Sequence, residues 1–298
     1  MRVLVAGSNG LLGTALRSHL AADGHEVVPL VRRAPSPGER SWDPAGGSID
    51  AAVFDGVDAV VNLSGAGIGD RRLTRRRLEI VTESRLGPTA LLAASMSGRT
   101  VRPSVFLSQS AVGFYGDTGN DIVTEASPAG TGFLAELVAA WEQAARPAAS
   151  AGIRTLWCRT GVVLAAKGGL LGRLAIPFKI GIGGRLATGS QWWSWVTIGD
   201  WVAAMSHLLA GDLAGPVNIT APGAVTNAAF TAALGRALHR PAKLPVPAWA
   251  LRAALGERRA EALALSSARV FPERLTADGF DFRDADIDAA LVSVLGEG

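Results

Sequence analysis

Val3-Leu4-Val5-Ala6-Gly7-Ser8-Asn9-Gly10-Leu11-Leu12-Gly13, continued by Thr14-Ala15-Leu16-Arg17-Ser18-His19-Leu20, decides how this chain is read. A short apolar run that breaks on glycine and resumes at helical spacing predicts a strand, a tight turn and a helix, the opening of a dinucleotide-binding βαβ unit. Gly7 would permit the sharp turn out of the strand, Gly10 would let backbone N–H groups approach a pyrophosphate, and Gly13 would let the helix lie close on the sheet. The phosphates would then sit at the positive end of that helix. The chain holds 36 glycines, so chance matches to such a spacing are expected, and the weight rests on the strand before it and the helix after it. The second strand, Glu26-Val27-Val28-Pro29-Leu30-Val31, ends in Arg32-Arg33, with no Asp or Glu where a ribose 2′-hydroxyl would be gripped. Two cations there favour a 2′-phosphate, hence NADP(H) over NAD(H).

Composition bounds the alternatives. With 298 residues, 48% hydrophobic and 18% charged, the chain can bury a large core as one big domain or two joined lobes. The pI near 9.6 suggests nucleic acid. Net charge is only +3, however, and the basic residues, 26 of 29 of them Arg, are spread along the chain, which favours anionic small molecules. The densest basic stretch, Arg71-Arg72-Leu73-Thr74-Arg75-Arg76-Arg77, reads as a solvated helix start. A single cysteine, Cys158, excludes an intrachain disulfide and a cysteine-cluster metal site. The opening apolar run is too short for a signal peptide, and longer ones are interrupted by Lys, Arg or several Gly, so a cytoplasmic protein is expected.

Strand and helix patterns alternate to about residue 160. Residues 58–66 read as a buried strand ending in small residues, 86–94 as a helix, 105–108 as a strand, 134–145 as a helix with Leu134, Leu137, Val138 and Trp141 on one face, and 155–159 as a further strand. Repeated units of this kind predict an α/β fold, a doubly wound parallel sheet with right-handed crossovers. Past Val163 the texture changes to Gly-rich loops, three closely spaced tryptophans and a Pro-punctuated tail, which predicts a smaller C-terminal substrate lobe over the carboxyl ends of the strands. The expected division is 1–162, with roughly 196–221 returning to it, as the cofactor domain, and 163–195 with 222–298 as the substrate-binding lobe.

The glycine spacing, Asn62-Leu63-Ser64-Gly65-Ala66, Ser108-Gln109-Ser110 before Tyr115-Gly116, and Trp195-Val196-Thr197-Ile198-Gly199-Asp200 together resemble the extended short-chain dehydrogenase/reductase superfamily, a Rossmann-type fold. The runs 110–119, Gln191-Trp192-Trp193-Ser194-Trp195, Pro216-Val217-Asn218-Ile219-Thr220-Ala221-Pro222 and 266–275 are similar to an atypical epimerase-like subgroup of the NAD-dependent epimerase/dehydratase type, with its own C-terminal domain and no settled reaction. The resemblance implies cofactor contacts from Gly7, Ser8, Asn9, Gly10, Leu11, Leu12, Arg32, Arg33, Leu63, Ser64, Gly65, Ala66, Arg85, Ser108 and Arg159. It also implies a substrate-orienting Ser, matched by Ser110, and a Tyr with a Lys four residues later.

That pair is absent. Tyr115 is the only tyrosine, its +4 position is Gly119, and the three lysines are Lys167, Lys179 and Lys243; by register, Leu134 replaces the tyrosine and Val138 the lysine. An unperturbed Tyr has a pKa of about 10, so it works as a base near neutrality only beside a cation or hydrogen bonds that lower that value. The Arg that would hold a nucleotide-sugar diphosphate is Trp193, which stacks a ring but cannot balance two phosphate charges. Trp192 and Trp193, adjacent in extended chain, point to opposite sides, so one of them is expected to face an apolar or planar substrate head.

Three functions stay open. The first is an NADP(H)-dependent oxidoreductase or epimerase with Ser110 orienting and Tyr115 or Glu136 supplying the proton, Glu136 through partial desolvation beside the cofactor. The second is a cofactor-binding sensor or scaffold with little chemistry. The third is a nucleotide-sugar epimerase, which Trp193 disfavours. The partner expected is a small-molecule substrate, with no nucleic acid and no membrane, and a homodimer is left open. His19, His25, His207 and His239 are scattered, and no metal site is expected. Asp55, Asp58, Asp70 and Asp117 read as turn and cap residues.

Overall fold

The structure, a computed structural model, describes residues 1–69, 73–166 and 168–296; Asp70, Arg71, Arg72 and Lys167 lie outside the described residues. The chain runs β1 (Arg2–Ala6), α1 (Leu11–Ala22), β2 (Glu26–Val31), β3 (Arg40–Asp43), β4 (Ser48–Ile49), β5 (Ala59–Asn62), α2 (Arg75–Ser97) and β6 (Val105–Ala111). It continues through β7 (Ile122–Val123), α3 (Phe133–Ser150), β8 (Arg154–Thr160), β9 (Val162–Leu164), α4 (Gly169–Lys179), β10 (Trp192–Trp193), β11 (Trp195–Thr197), α5 (Ile198–Ala210) and β12 (Gly215–Ile219). The last part holds β13 (Val225–Thr226), α6 (Asn227–Ala237), α7 (Ala248–Leu255), α8 (Glu257–Ala260), β14 (Arg269–Val270), α9 (Glu273–Ala277) and α10 (Ile287–Gly296).

Eight strands form one sheet in the order β12-β8-β6-β5-β1-β2-β3-β4, parallel throughout except for the β3–β4 hairpin at the edge. Its strands are apolar on both faces because helices cover both. Val3, Val5, Val61, Leu107 and Leu156 meet Leu16 and Leu20 of α1 and Trp201, Met205 and Leu208 of α5. Their neighbours Leu4, Val60 and Phe106 point the other way, onto Leu92 and Met96 of α2 and Ala145 and Ala148 of α3. Strand order reverses between β1 and β5, so the loops after these two strands open the crevice where ligands of such sheets bind.

Two elements exceed the sequence reading. α2 starts at Arg75 rather than 86, because Thr74 caps it by accepting a hydrogen bond from the Arg77 N–H, with Arg75 and Arg76 exposed at the start. β3 and β4 form the sheet edge, where Trp42 is the main buried anchor.

Beyond β9, α4, α6, α10 and the β10–β13 pair enclose a second core of Leu171, Phe178, Trp193, Phe230, Leu234 and Leu291. The C-terminal stretch is tied back in three places. β14 pairs with β7, the Ser194 hydroxyl donates to the Ala268 carbonyl and accepts from the Val270 N–H, and the buried Asp200 carboxylate accepts from the N–H groups of Arg283 and Asp284. Among the described residues no helix is long and apolar enough to cross a membrane.

Candidate functional site

At the β1–α1 turn the glycines are sterically required. Gly7 has φ +75°, and a Cβ there would lie 2.6 Å from the Leu63 carbonyl oxygen of the loop after β5; a Cβ on Gly13 would lie 2.3 Å from the Gly7 carbonyl oxygen. Gly10 instead meets only the Gly7 oxygen, at 3.5 Å, and opens α1 with no side-chain cap and no acid in the first turn. Thr74, Thr197 and Thr226 cap α2, α5 and α6 with their hydroxyls, whereas α1, like α4 and α7, starts bare; at the mouth of the crevice that start is a row of backbone donors suited to a phosphate. Ser8 is buried in the turn, while Asn9 is exposed and accepts from the Arg17 guanidinium. Leu11 is exposed, Leu12 is half-buried, and Leu11 packs against Gly168 and Gly169 at the start of α4.

The two arginines after β2 differ. Arg33 makes a two-pronged bond to Glu39, 2.7 Å on each side, and Glu39 also accepts from the Ser36 N–H, so this carboxyl is held below its usual range. Arg32 is exposed and has no acidic partner among the described residues. The expected cation pair is thus unequal: Glu39 takes up Arg33, while Arg32 is left exposed.

On the other side of the crevice, Asn62 is fully buried, accepting from the Ser64 N–H and donating to Thr89, which also accepts from the Trp141 indole. This fixes Leu63, Ser64, Gly65 and Ala66 as a rigid rim; the Ala66 N–H donates to Ser84. Arg85 donates to the Ala66 and Val81 carbonyls and lies 5.2 Å over Trp141, with its guanidinium 3.3 Å from where a Gly65 Cβ would stand. Burial, helped by the charge of Arg77, lowers its pKa to about 10. It therefore stands as a cation facing Gly65.

The catalytic expectations are where the structure departs most from the sequence reading. Ser110, Arg159 and Asn218 form one register row across β6, β8 and β12. All three are buried. The Ser110 hydroxyl donates to Glu142 at 2.6 Å, Arg159 grips both Glu142 oxygens at 2.8 and 2.9 Å, and Arg159 also donates to the Tyr115 hydroxyl, which donates to Asn218 at 2.7 Å. The Asn218 N–H in turn donates to Glu125. Burial raises the Tyr115 pKa against the opposing pull of Arg159 and Asn218. Tyr115 is thus buried with its hydroxyl proton held on Asn218, and Arg159, 4% exposed, is bound to Glu142 rather than standing free in the crevice. Ser110, the expected orienting residue, shares that network through Glu142. Ser108 is fully buried on the same strand. Glu136 lies exposed in the first turn of α3, without the partial desolvation that the donor role requires.

Leu134 and Val138 pack on the turn after β6. A Cβ on Gly113 would lie 3.6 Å from Leu134 and 3.8 Å from Val138, so the two side chains form an apolar wall against Gly113. Trp193 packs in the lobe core against Phe230 at 5.1 Å and is 6% exposed, which corrects its assignment to the substrate. Trp192 faces the other way, half-buried beneath the Arg269 guanidinium at 4.1 Å with its indole N–H on Asn120.

The sequence reading missed Glu142, although its signal was present: a carboxylate on the stripe of Val138, Trp141 and Ala145 is buried and requires a cationic partner. Glu125 gave no such signal, because its acceptor role depends on Asn218 and Arg274 far along the chain.

Residues 3–220 match the NAD dependent epimerase/dehydratase family, and residues 246–294 match a domain of unknown function, DUF1731. The chain belongs to the NAD dependent epimerase/dehydratase family. Among its curated relatives, an epimerase family protein of Mycobacterium bovis is 44% identical over 291 residues, covering 97% of this chain and 96% of that protein. The human epimerase family protein SDR39U1 is 38% identical over 300 residues, covering 99% and 100%. A crystal structure of human SDR39U1 with NADPH superposes on this epimerase-family chain with a TM-score of 0.92 at 35% identity, covering all of both chains. A nucleoside-diphosphate sugar epimerase of Corynebacterium glutamicum gives 0.82 at 37% identity, covering all of this chain and 58% of that one.

Proposed function

We propose that this chain is an NADP(H)-dependent oxidoreductase of epimerase-like architecture, acting on a small, partly apolar carbonyl or quinone without a tyrosine as proton donor. The observation that carries it is the wall of Leu134 and Val138 on Gly113, which favours an apolar substrate face and provides no acid. Cofactor choice is supported by Arg32 after β2, by the uncapped start of α1 and by the NADPH in the structure of human SDR39U1. When bound, the dinucleotide supplies or accepts a hydride. Gly7, Gly10 and Gly13 shape the pyrophosphate cradle, Arg32 neutralises the 2′-phosphate, and Arg85 with the Gly65–Ala66 rim bounds the crevice on the β5 side. The proton comes from water, which suits acceptors whose reduced form is stable as an anion, quinones above all.

The test follows NADPH absorbance with a panel of aldehydes, ketones and quinones. Turnover is expected for a planar acceptor, with kcat flat from about pH 6 to 9 because no protein acid touches the substrate. Tight NADPH binding with no turnover across the panel would overturn the reading and leave the cofactor-binding sensor, which is favoured by the Ser110 proton being held on Glu142. Tight binding of a UDP-sugar would restore the nucleotide-sugar epimerase.

A further inference from the structure

Charge is distributed very unevenly along this sequence. No Asp or Glu occurs between Glu142 and Asp200, nor between Asp212 and Glu257, and all three lysines fall within these two tracts. The tracts supply α4, β10, β13, α6 and α7, the body of the second lobe. Arg236 and Arg252 find acids elsewhere, in Asp288 and Glu261. Lys179, Arg185, Arg240 and Lys243 have no ion pair among the described residues.

The same edge of the lobe exposes apolar side chains. Ile176 and Ile180, one helical turn apart at the end of α4, are 61% and 68% exposed, Ile182 is 54%, Leu244 is 54% and Trp249 is 73%. Backbone and side-chain bonds hold these segments side by side: the Ile182 N–H donates to Pro177, the Leu244 N–H to Gly183, the Val246 N–H to Arg185 and the Arg240 guanidinium to the Lys179 carbonyl. Exposed isoleucine, leucine and tryptophan rimmed by unpaired cations, with no acid in either tract, match the chemistry of an anionic bilayer surface. Apolar tips enter the acyl boundary, indole prefers the interface, and ammonium and guanidinium groups meet lipid phosphates. A second copy of the chain fits less well, because two such faces would oppose cation to cation.

We propose that this edge, centred on Ile180, Leu244 and Trp249, docks the protein peripherally on an anionic membrane. This mode needs no spanning segment, and it departs from the expectation of no membrane partner. It also does not rest on the hydride-transfer reading. α4 runs from Gly169, against Leu11 of the cofactor turn, to Ile176 on this face, so docking would bring the crevice close to substrates dissolved in the bilayer.

Co-sedimentation with vesicles of phosphatidylcholine, with and without about one-third phosphatidylglycerol, tests this. Binding is expected only to the anionic vesicles, with release in about 0.5 M salt as the charges are screened. Lys179→Ala and Lys243→Ala should each weaken it roughly fivefold. Trp249→Ala should weaken it further, while all three variants melt like the parent because the residues are exposed. Absence of binding to either vesicle, or equal binding to both, overturns the proposal. So does a dimer in light scattering that Trp249→Asp dissociates, since the face would then be covered by a second copy.

Discussion

The β1–α1 turn and the junction of β6 with α3 stand two strands apart in one sheet, and they differ in what they retain. At the turn, Gly7 and Gly13 have no room for a side chain, and the donors that face the crevice are backbone N–H groups. At the junction, Leu134 and Val138 set an apolar wall against Gly113, and the Ser110 hydroxyl is bound to Glu142. Grip on a phosphate is a property of backbone shape, which tolerates change everywhere except at the glycines. Proton transfer is a property of particular side chains and of the charges around them, so it can be lost while the fold stays whole.

Gly13→Val attacks the first side of that contrast and has the largest expected effect. A Cβ 2.3 Å from the Gly7 oxygen forces the helix off the sheet. NADPH affinity should fall by about 3 kcal/mol, roughly a hundredfold in Kd, in a fluorescence titration, whereas Gly10→Ala should leave the melting temperature unchanged. An intact affinity in Gly13→Val would break the comparison.

Glu142→Ala probes the second side. It leaves Arg159 buried without its carboxylate, so unfolding stability in urea should drop by about 3–5 kcal/mol while NADPH affinity holds. Loss of cofactor binding at unchanged stability would instead return Arg159 to the cofactor site.

Arg32→Ala sharpens the turn's specificity. We expect NADPH to bind about ten- to a hundredfold more weakly and NADH to be unaffected, with a smaller change for Arg33→Ala because Glu39 already occupies Arg33. Equal losses for both cofactors would show that Arg32 does not reach the 2′-phosphate.

The smallest effect is a slope. Burial raises the Glu125 pKa in the folded state, against the pull of the Asn218 and Arg274 N–H groups. Between its unfolded and folded values the native protein binds more protons, so stability falls as pH rises through that window. Glu125→Gln keeps the acceptor for Asn218 and should flatten this decline in melts run at weakly acid and neutral pH. An unchanged slope would assign it to other groups, such as Asp200, whose pKa burial also raises.

The turn was legible because most of its demands are local: a left-handed φ at Gly7 and the close approach of Gly13 to the Gly7 carbonyl lie within one short stretch, and only the crowding of Gly7 by Leu63 comes from far along the chain. So was the missing pair, since one tyrosine and three lysines leave few places to look. The fate of Ser110, Tyr115 and Arg159 was not legible, because it depends on β6, β8 and β12 lying in register and on which face α3 presents. The sequence also showed that Trp192 and Trp193 point apart. Which one turns inward depends on Phe230, far along the chain.

Asp200 carries a last consequence. Its carboxylate, in the first turn of α5, fastens the backbone at Arg283 and Asp284, just as Ser194 fastens the chain around Ala268 and Val270. The stretch 246–294 is therefore sewn into the sheet rather than appended to it. A chimera that swaps this segment between relatives must carry Ser194 and Asp200 with it, and a cut placed at the boundary near residue 246 would strand both acceptors.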